Sequence, residues 1–138
     1  MRIERMGNKL TIRNIVMLLI VAILLSACGS KVHKNISQEM VDDTNAIVKL
    51  VGENIESGEE LTVEELELLE SYNEKYDALR MHASEDERLT KEEGTLYTVS
   101  GRLAEQYRTD KENMTGIYDY DFMKENIKHV IETGELPK

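Results

Sequence analysis

Leu61-Thr62-Val63-Glu64-Glu65-Leu66-Glu67-Leu68-Leu69 is the stretch from which the fold can be read. Thr62 and Glu65 stand three apart, the spacing of a capping box. The threonine hydroxyl accepts from the N–H of the third helical residue, whose carboxylate accepts from the threonine's own N–H. Leu61 and Leu66 flank the pair as a hydrophobic staple. The first N–H groups of a helix have no partner inside it, so a sequence that supplies these acceptors is written to start a helix here. Beyond the cap, Leu66, Leu69, Tyr72 (or Asn73), Tyr76, Leu79 and Ala83 keep to one face by steps of three and four, and the helix is expected to end near His82.

The same pattern continues in both directions. Upstream, Ile36, Met40, Val41, Thr44, Ile47, Val48, Val51 and Ile55 form the stripe of an amphipathic helix, with Ser37 as its cap and Ser57-Gly58 as its stop. Downstream, two capping boxes compete for the start of a third helix, Ser84-Glu85-Asp86-Glu87 and Thr90-Lys91-Glu92-Glu93. Leu96, Val99, Leu103 and Tyr107 are its stripe. Gly94 and Gly101 weaken it by about 1 kcal/mol each unless they mark close helix packing. After a polar break over residues 110–116, Asp119 caps a short last helix with Met123, Ile127, Val130 and Ile131 inward, Gly134 at its end and Pro137 beyond.

Leu61-Thr62-x-Glu64-Glu65 returns as Leu89-Thr90-x-Glu92-Glu93, with Leu68 matching Leu96. Shared capping grammar accounts for this echo better than a repeat does. No run alternates with period two, and helices joined by short loops pack as antiparallel neighbours. The expected fold is all-α, a three- to four-helix bundle over residues 36–138.

The chain has 138 residues and a single cysteine, Cys28, so neither an internal disulfide nor a cysteine-based metal cluster is expected. It carries 17 basic and 27 acidic residues. Arg2, Arg5, Lys9, Arg13 and Glu4 precede residue 28, which leaves 13 basic against 26 acidic residues and a formal charge of −13 for the remainder. Nucleic acid demands clustered Lys and Arg, so it is not an expected partner.

The basic residues at the start precede an uncharged run over residues 15–27, Ile-Val-Met-Leu-Leu-Ile-Val-Ala-Ile-Leu-Leu-Ser-Ala. It is shorter than the about 20 apolar residues a membrane-spanning helix needs. A charged segment, a short apolar run and small residues before a cut have the form of a secretory signal. Leu25-Ser26-Ala27-Cys28 at its end resembles the lipobox of bacterial lipoproteins. The resemblance implies that Cys28 receives a diacylglyceryl group and that cleavage before it removes residues 1–27. Two acyl chains suffice for stable anchoring, so the expected location is the extracytoplasmic face of the cell membrane. Residues 28–35, Cys-Gly-Ser-Lys-Val-His-Lys-Asn, read as a polar tether reaching at most about 25–30 Å.

Chemistry is sparse. No nucleophile stands in a recognisable elbow. His33 lies in the tether, His82 near a helix end and His129 on the last helix, all more in keeping with structural roles than with catalysis. The paired acids Asp42-Asp43, Glu59-Glu60, Glu64-Glu65 and Glu92-Glu93 fit solvated faces and first helical turns better than a glycosidase cleft. Asp119-Tyr120-Asp121 begins like a calcium loop, but Phe122-Met123-Lys124 breaks the pattern. No catalytic residue, metal or cofactor is expected beyond the covalent lipid.

One stretch stands out. Tyr118-Asp119-Tyr120-Asp121, followed by Phe122, concentrates aromatics and acids at a loop-to-helix junction, in a chain with six Tyr and one Phe. It is a candidate recognition patch for a basic partner. The competing structural role is that Tyr118 and Phe122 staple the last helix onto the bundle. The expected function is therefore a non-enzymatic interaction module near the membrane, with a membrane or envelope protein as partner, of the general build of exclusion and immunity lipoproteins. An envelope ligand-binding protein or transporter accessory is an alternative. A precursor whose tail at residues 21–27 is released as a peptide pheromone is another.

Overall fold

The structure, a computed structural model, describes residues 31–138. The lipobox-like residues Leu25, Ser26, Ala27 and Cys28, and the signal-like run before them, lie outside the described residues. Among the described residues there are four α-helices and no strand: α1 (Gln38–Ser57), α2 (Val63–Met81), α3 (Lys91–Asp110) and α4 (Tyr120–Thr133). Two single 3₁₀ turns, Lys111–Asn113 and Gly116–Tyr118, join α3 to α4. The all-α bundle expected from periodicity is present, with four helices.

Each helix begins where local chemistry supplies an acceptor. Ser37 caps α1 by accepting from the Met40 N–H. Both halves of the Thr62/Glu65 box form at α2, and both halves of the Thr90/Glu93 box form at α3. Asp119 caps α4 by accepting from the Phe122 N–H at 3.1 Å. The rival start at Ser84 makes only a tight turn, in which the Glu87 and Arg88 N–H groups donate to the Ser84 carbonyl. Gly58 and Gly134 close α1 and α4 in the left-handed conformation, with φ of 68° and 76°. Side chains rarely adopt that conformation.

The two capping glutamates also hold the bundle together. Glu65 accepts from the Asn54 amide at 3.2 Å, fixing the end of α1 to the start of α2. Glu93 accepts from the Ser37 N–H at 2.9 Å, fixing the start of α1 to the start of α3. Lys111 reaches Glu60, and the Tyr120 hydroxyl donates to the Val48 carbonyl. The helices therefore run up, down, up, down. The starts of α1 and α3 and the ends of α2 and α4 share one end of the bundle.

The core is built from Met40, Val51, Leu69, Leu96, Leu103, Met123 and Val130, all essentially sealed from solvent. The stripes of α3 and α4 are buried as their spacing required. Two positions differ. Ile55 on α1 is exposed, because Asn54 turns inward to meet Glu65. Leu68 is exposed while its counterpart Leu96 is sealed, so the repeated motif marks helix starts rather than two equivalent helices. Of the two glycines inside α3, a Cβ on Gly101 would crowd Tyr97 and Asn73, whereas Gly94 has open space, so within that helix only Gly101 marks close packing.

Residues 28–35 read as a free tether, but its latter part is docked, and the compact unit begins at Val32. The His33 N–H donates to the Ile131 carbonyl at 2.7 Å. The Asn35 carbonyl accepts from the Thr90 hydroxyl at 2.6 Å, and its side-chain amide donates to Glu92 at 3.2 Å. Val32 packs against the core and Ile36 is buried in it. An apolar residue every four positions, Val32 then Ile36, was the available signal for this docking.

Candidate functional site

The junction before α4 divides the four candidate residues by role. Tyr120 lies over Gly52 of α1, donates to the Val48 carbonyl at 3.0 Å and carries the Lys124 ammonium 5.8 Å above its ring. Gly52 is the small residue that this approach needs. Tyr120 is thus the pin between α4 and α1. Burial pushes its hydroxyl pKa up, and the Asp121 charge adds to the shift. The Asp119 carboxylate is occupied as the α4 cap. Tyr118 and Asp121 remain on the surface.

The staple role expected of Tyr118 and Phe122 is therefore filled by another residue. Phe122 occupies the third position of α4, which points away from the bundle, and it is 48% exposed. Ile117 and Leu136 are 60% and 50% exposed, and both line an open groove with Phe122. The groove holds about 480 Å³. The surface assembled here is more apolar and less acidic than the segment 118–121 alone indicated. Leu136 was not foreseeable as its neighbour, because it joins the patch only through the turn after Gly134.

A second cluster, which the sequence pattern presents only as core, lies between α1, α2 and α3. The rings of Tyr72, Tyr76 and Tyr97 pack at centroid distances of 4.8, 6.3 and 6.1 Å. Their hydroxyls are all engaged. The Ser100 hydroxyl donates to the Leu96 carbonyl at 2.9 Å, so it accepts from Tyr72 at 2.6 Å, and Tyr72 in turn accepts from Thr44 at 2.8 Å. The Tyr97 hydroxyl donates to the Asn73 carbonyl at 3.1 Å. Tyr76 donates to Asp43 at 2.6 Å, and Lys75 reaches Asp43 at 2.7 Å and Glu39 at 2.6 Å. A directed hydroxyl chain thus crosses three helices through the core.

The electrostatics of this cluster are those of a structural element. Burial raises the hydroxyl pKa of Tyr72 and Tyr76, and for Tyr76 the Asp43 carboxylate raises it further. Burial acts to raise the carboxyl pKa of Asp43, but the hydrogen bonds from Lys75 and Tyr76 outweigh it and the net shift is downward. Glu93 behaves alike: burial opposes ionisation, and the N–H groups of Thr90 and Ser37 prevail. Every one of these shifts favours the protonation state that holds helices together.

His33 is docked through its backbone, and its Nδ1 accepts from the Asn35 N–H at 3.2 Å. His82 forms the C-cap of α2 and is exposed, and His129 is half-buried on α4. The three imidazoles lie on separate elements. Among the described residues, no three His, Cys, Asp or Glu side chains converge on a point where a metal ion would fit, and no described helix is long and apolar enough to cross a membrane. No protein-family model, curated protein or solved structure matches this chain.

Proposed function

We propose that this chain is a bacterial lipoprotein, anchored through Cys28 on the extracytoplasmic face of the membrane. Its acidic helical domain binds a membrane or envelope protein without catalysing a reaction. The observation that carries the interaction role is the exposed apolar surface of Ile117, Phe122 and Leu136. Val99 and Met123, which line the same groove, are buried, so these three side chains are not remnants of a loose core. Apolar residues gathered outside a sealed core mark interaction sites more often than isolated ones do. An exclusion or immunity role, in which a surface protein blocks an incoming element, is one form this activity takes.

The docked segment constrains the proposal. With the lipid on Cys28 and the backbone fixed at His33, five residues of chain span at most about 18 Å. The end of the bundle that holds the start of α1 and the finish of α4 would then face the bilayer. Ile117 and Tyr118 would stand farther out by the length of α4, whose 14 residues rise about 21 Å. The groove, lined from Leu136 just past the end of α4 to Phe122 and Ile117 about its start, would then run up the side of the bundle from the bilayer-facing end, and the partner would be met along that length.

Crosslinking and pulldown from native membranes tests this, with wild type set against Cys28→Ser. Enrichment of one envelope protein in the wild type, lost in Cys28→Ser, is expected. Equal capture by both removes the anchor from the account, and no specific partner in either removes the interaction role.

A further inference from the structure

The groove between α3, α4 and the last residues of the chain differs from the rest of the surface in its charge. Arg102 and Lys138 line it, together with Ile117, Phe122, Leu136 and Asn126, and no Asp or Glu side chain does. This occurs in a chain where 27 acids face 17 bases. Arg102 is also set apart from the other arginines among the described residues. Arg80 and Arg108 hold carboxylates and Arg88 donates to the Ala83 carbonyl, whereas Arg102 makes neither an ion pair nor a hydrogen bond with any of the described residues. An exposed, unengaged guanidinium beside exposed Ile and Phe side chains complements a carboxylate set beside apolar residues.

We infer that this groove receives an acidic amphipathic segment of the partner protein. Its apolar side chains, at helical spacing, rest on Ile117, Phe122 and Leu136, and a Glu or Asp meets Arg102. The inference rests on the interaction role proposed above and specifies the chemistry of the partner. The acidic domain repels such a segment at long range. Physiological salt screens charges beyond about 8 Å, so the local pair with Arg102 governs docking. Repulsion grows as salt is lowered, so association weakens at low ionic strength, opposite to the behaviour of a basic ligand.

The test uses the full chain in its own membranes, with a photoreactive phenylalanine analogue at Phe122 and, separately, at the exposed position Glu74 on α2. Crosslinked peptides are mapped by mass spectrometry. The Phe122 probe is expected to mark one protein, within a segment that has apolar residues three or four apart and at least one carboxylate. Arg102→Glu should lower that yield roughly threefold to tenfold. Arg102→Lys should keep most of it, and reversing the mapped carboxylate to lysine should restore yield to Arg102→Glu. A crosslink to lipid, to a second copy of this chain or to a basic segment overturns the inference, as does a yield indifferent to Arg102→Glu. Capture from Glu74 but not from Phe122 overturns it while leaving the interaction role intact. Capture from neither position overturns both.

Discussion

The aromatics of α2 and α3 and those around the start of α4 draw on the same residue types and are used in opposite ways. Tyr72, Tyr76 and Tyr97 turn inward, pack ring on ring and place their hydroxyls on Thr44, Ser100, Asp43 and the Asn73 carbonyl. Around the start of α4 only Tyr120 is used in this way, and Tyr118 and Phe122 stay on the surface. The difference lies in where a helix can place a side chain. In mid-helix, residues four apart share a buried face. At the first turn, only the positions aligned with the stripe of Met123, Ile127 and Val130 can reach the core. The inner cluster holds the helices together, and the outer one is the surface proposed here for recognition.

The comparison is most easily broken at Tyr72. Tyr72→Ala should remove about 3–5 kcal/mol of stability, the usual loss for a large buried aromatic, measured by urea denaturation followed by helical circular dichroism. Tyr72→Phe keeps the ring and deletes the hydroxyl that joins Thr44 to Ser100. A loss of about 1–3 kcal/mol is expected there. A neutral Tyr72→Phe would mean that the hydroxyl chain is incidental to packing.

Titration sharpens the same contrast. Asp43 and Glu93 have depressed folded pKa values, so the stability they contribute is present above the ordinary carboxylate values of 3.8 and 4.5. It is lost as pH falls through the lower folded values. Tyr72 and Tyr76 have raised folded pKa values, so their contribution is present below the ordinary 10.0 and is lost as pH climbs through the raised ones. Unfolding at high pH should therefore coincide with the ultraviolet signal of tyrosinate. Glu93→Gln should flatten the acid limb of the stability profile and leave the alkaline limb unchanged.

At the junction the effects should shrink. Tyr120→Phe removes one half-buried bond to the Val48 carbonyl and should cost about 0.5–1.5 kcal/mol. Phe122→Ser should change stability by no more than about 0.5 kcal/mol, as exposed positions do.

Much of the fold was legible because helix starts and stops are local. Ser37, Thr62, Asp119, Gly58 and Gly134 each act within a few residues of their own position, so the sequence carries their meaning directly. The competition between Ser84 and Thr90 could not be resolved in that way. Thr90 has the tertiary support, since Glu93 reaches across to Ser37 and the Thr90 hydroxyl reaches Asn35. The faces were legible in the middle of helices and less so at their ends. Ile55 and Asn54 exchange places because Asn54 has a partner on α2. The candidate recognition patch was legible only as a segment. That Tyr120 is committed to α1, and that Leu136 returns beside Phe122, depend on contacts distant in sequence. The docking of residues 32–36 was obscured by their polar neighbours.

The central claim is that folding and binding are carried by different aromatic surfaces, and one variant addresses it directly. Phe122→Ser can be followed in a single preparation by its thermal midpoint and by its recovery of the envelope partner in a crosslinking pulldown from native membranes. The account expects an unchanged midpoint with the partner lost. A lowered midpoint, or a stable protein that still recovers its partner in full, would contradict it.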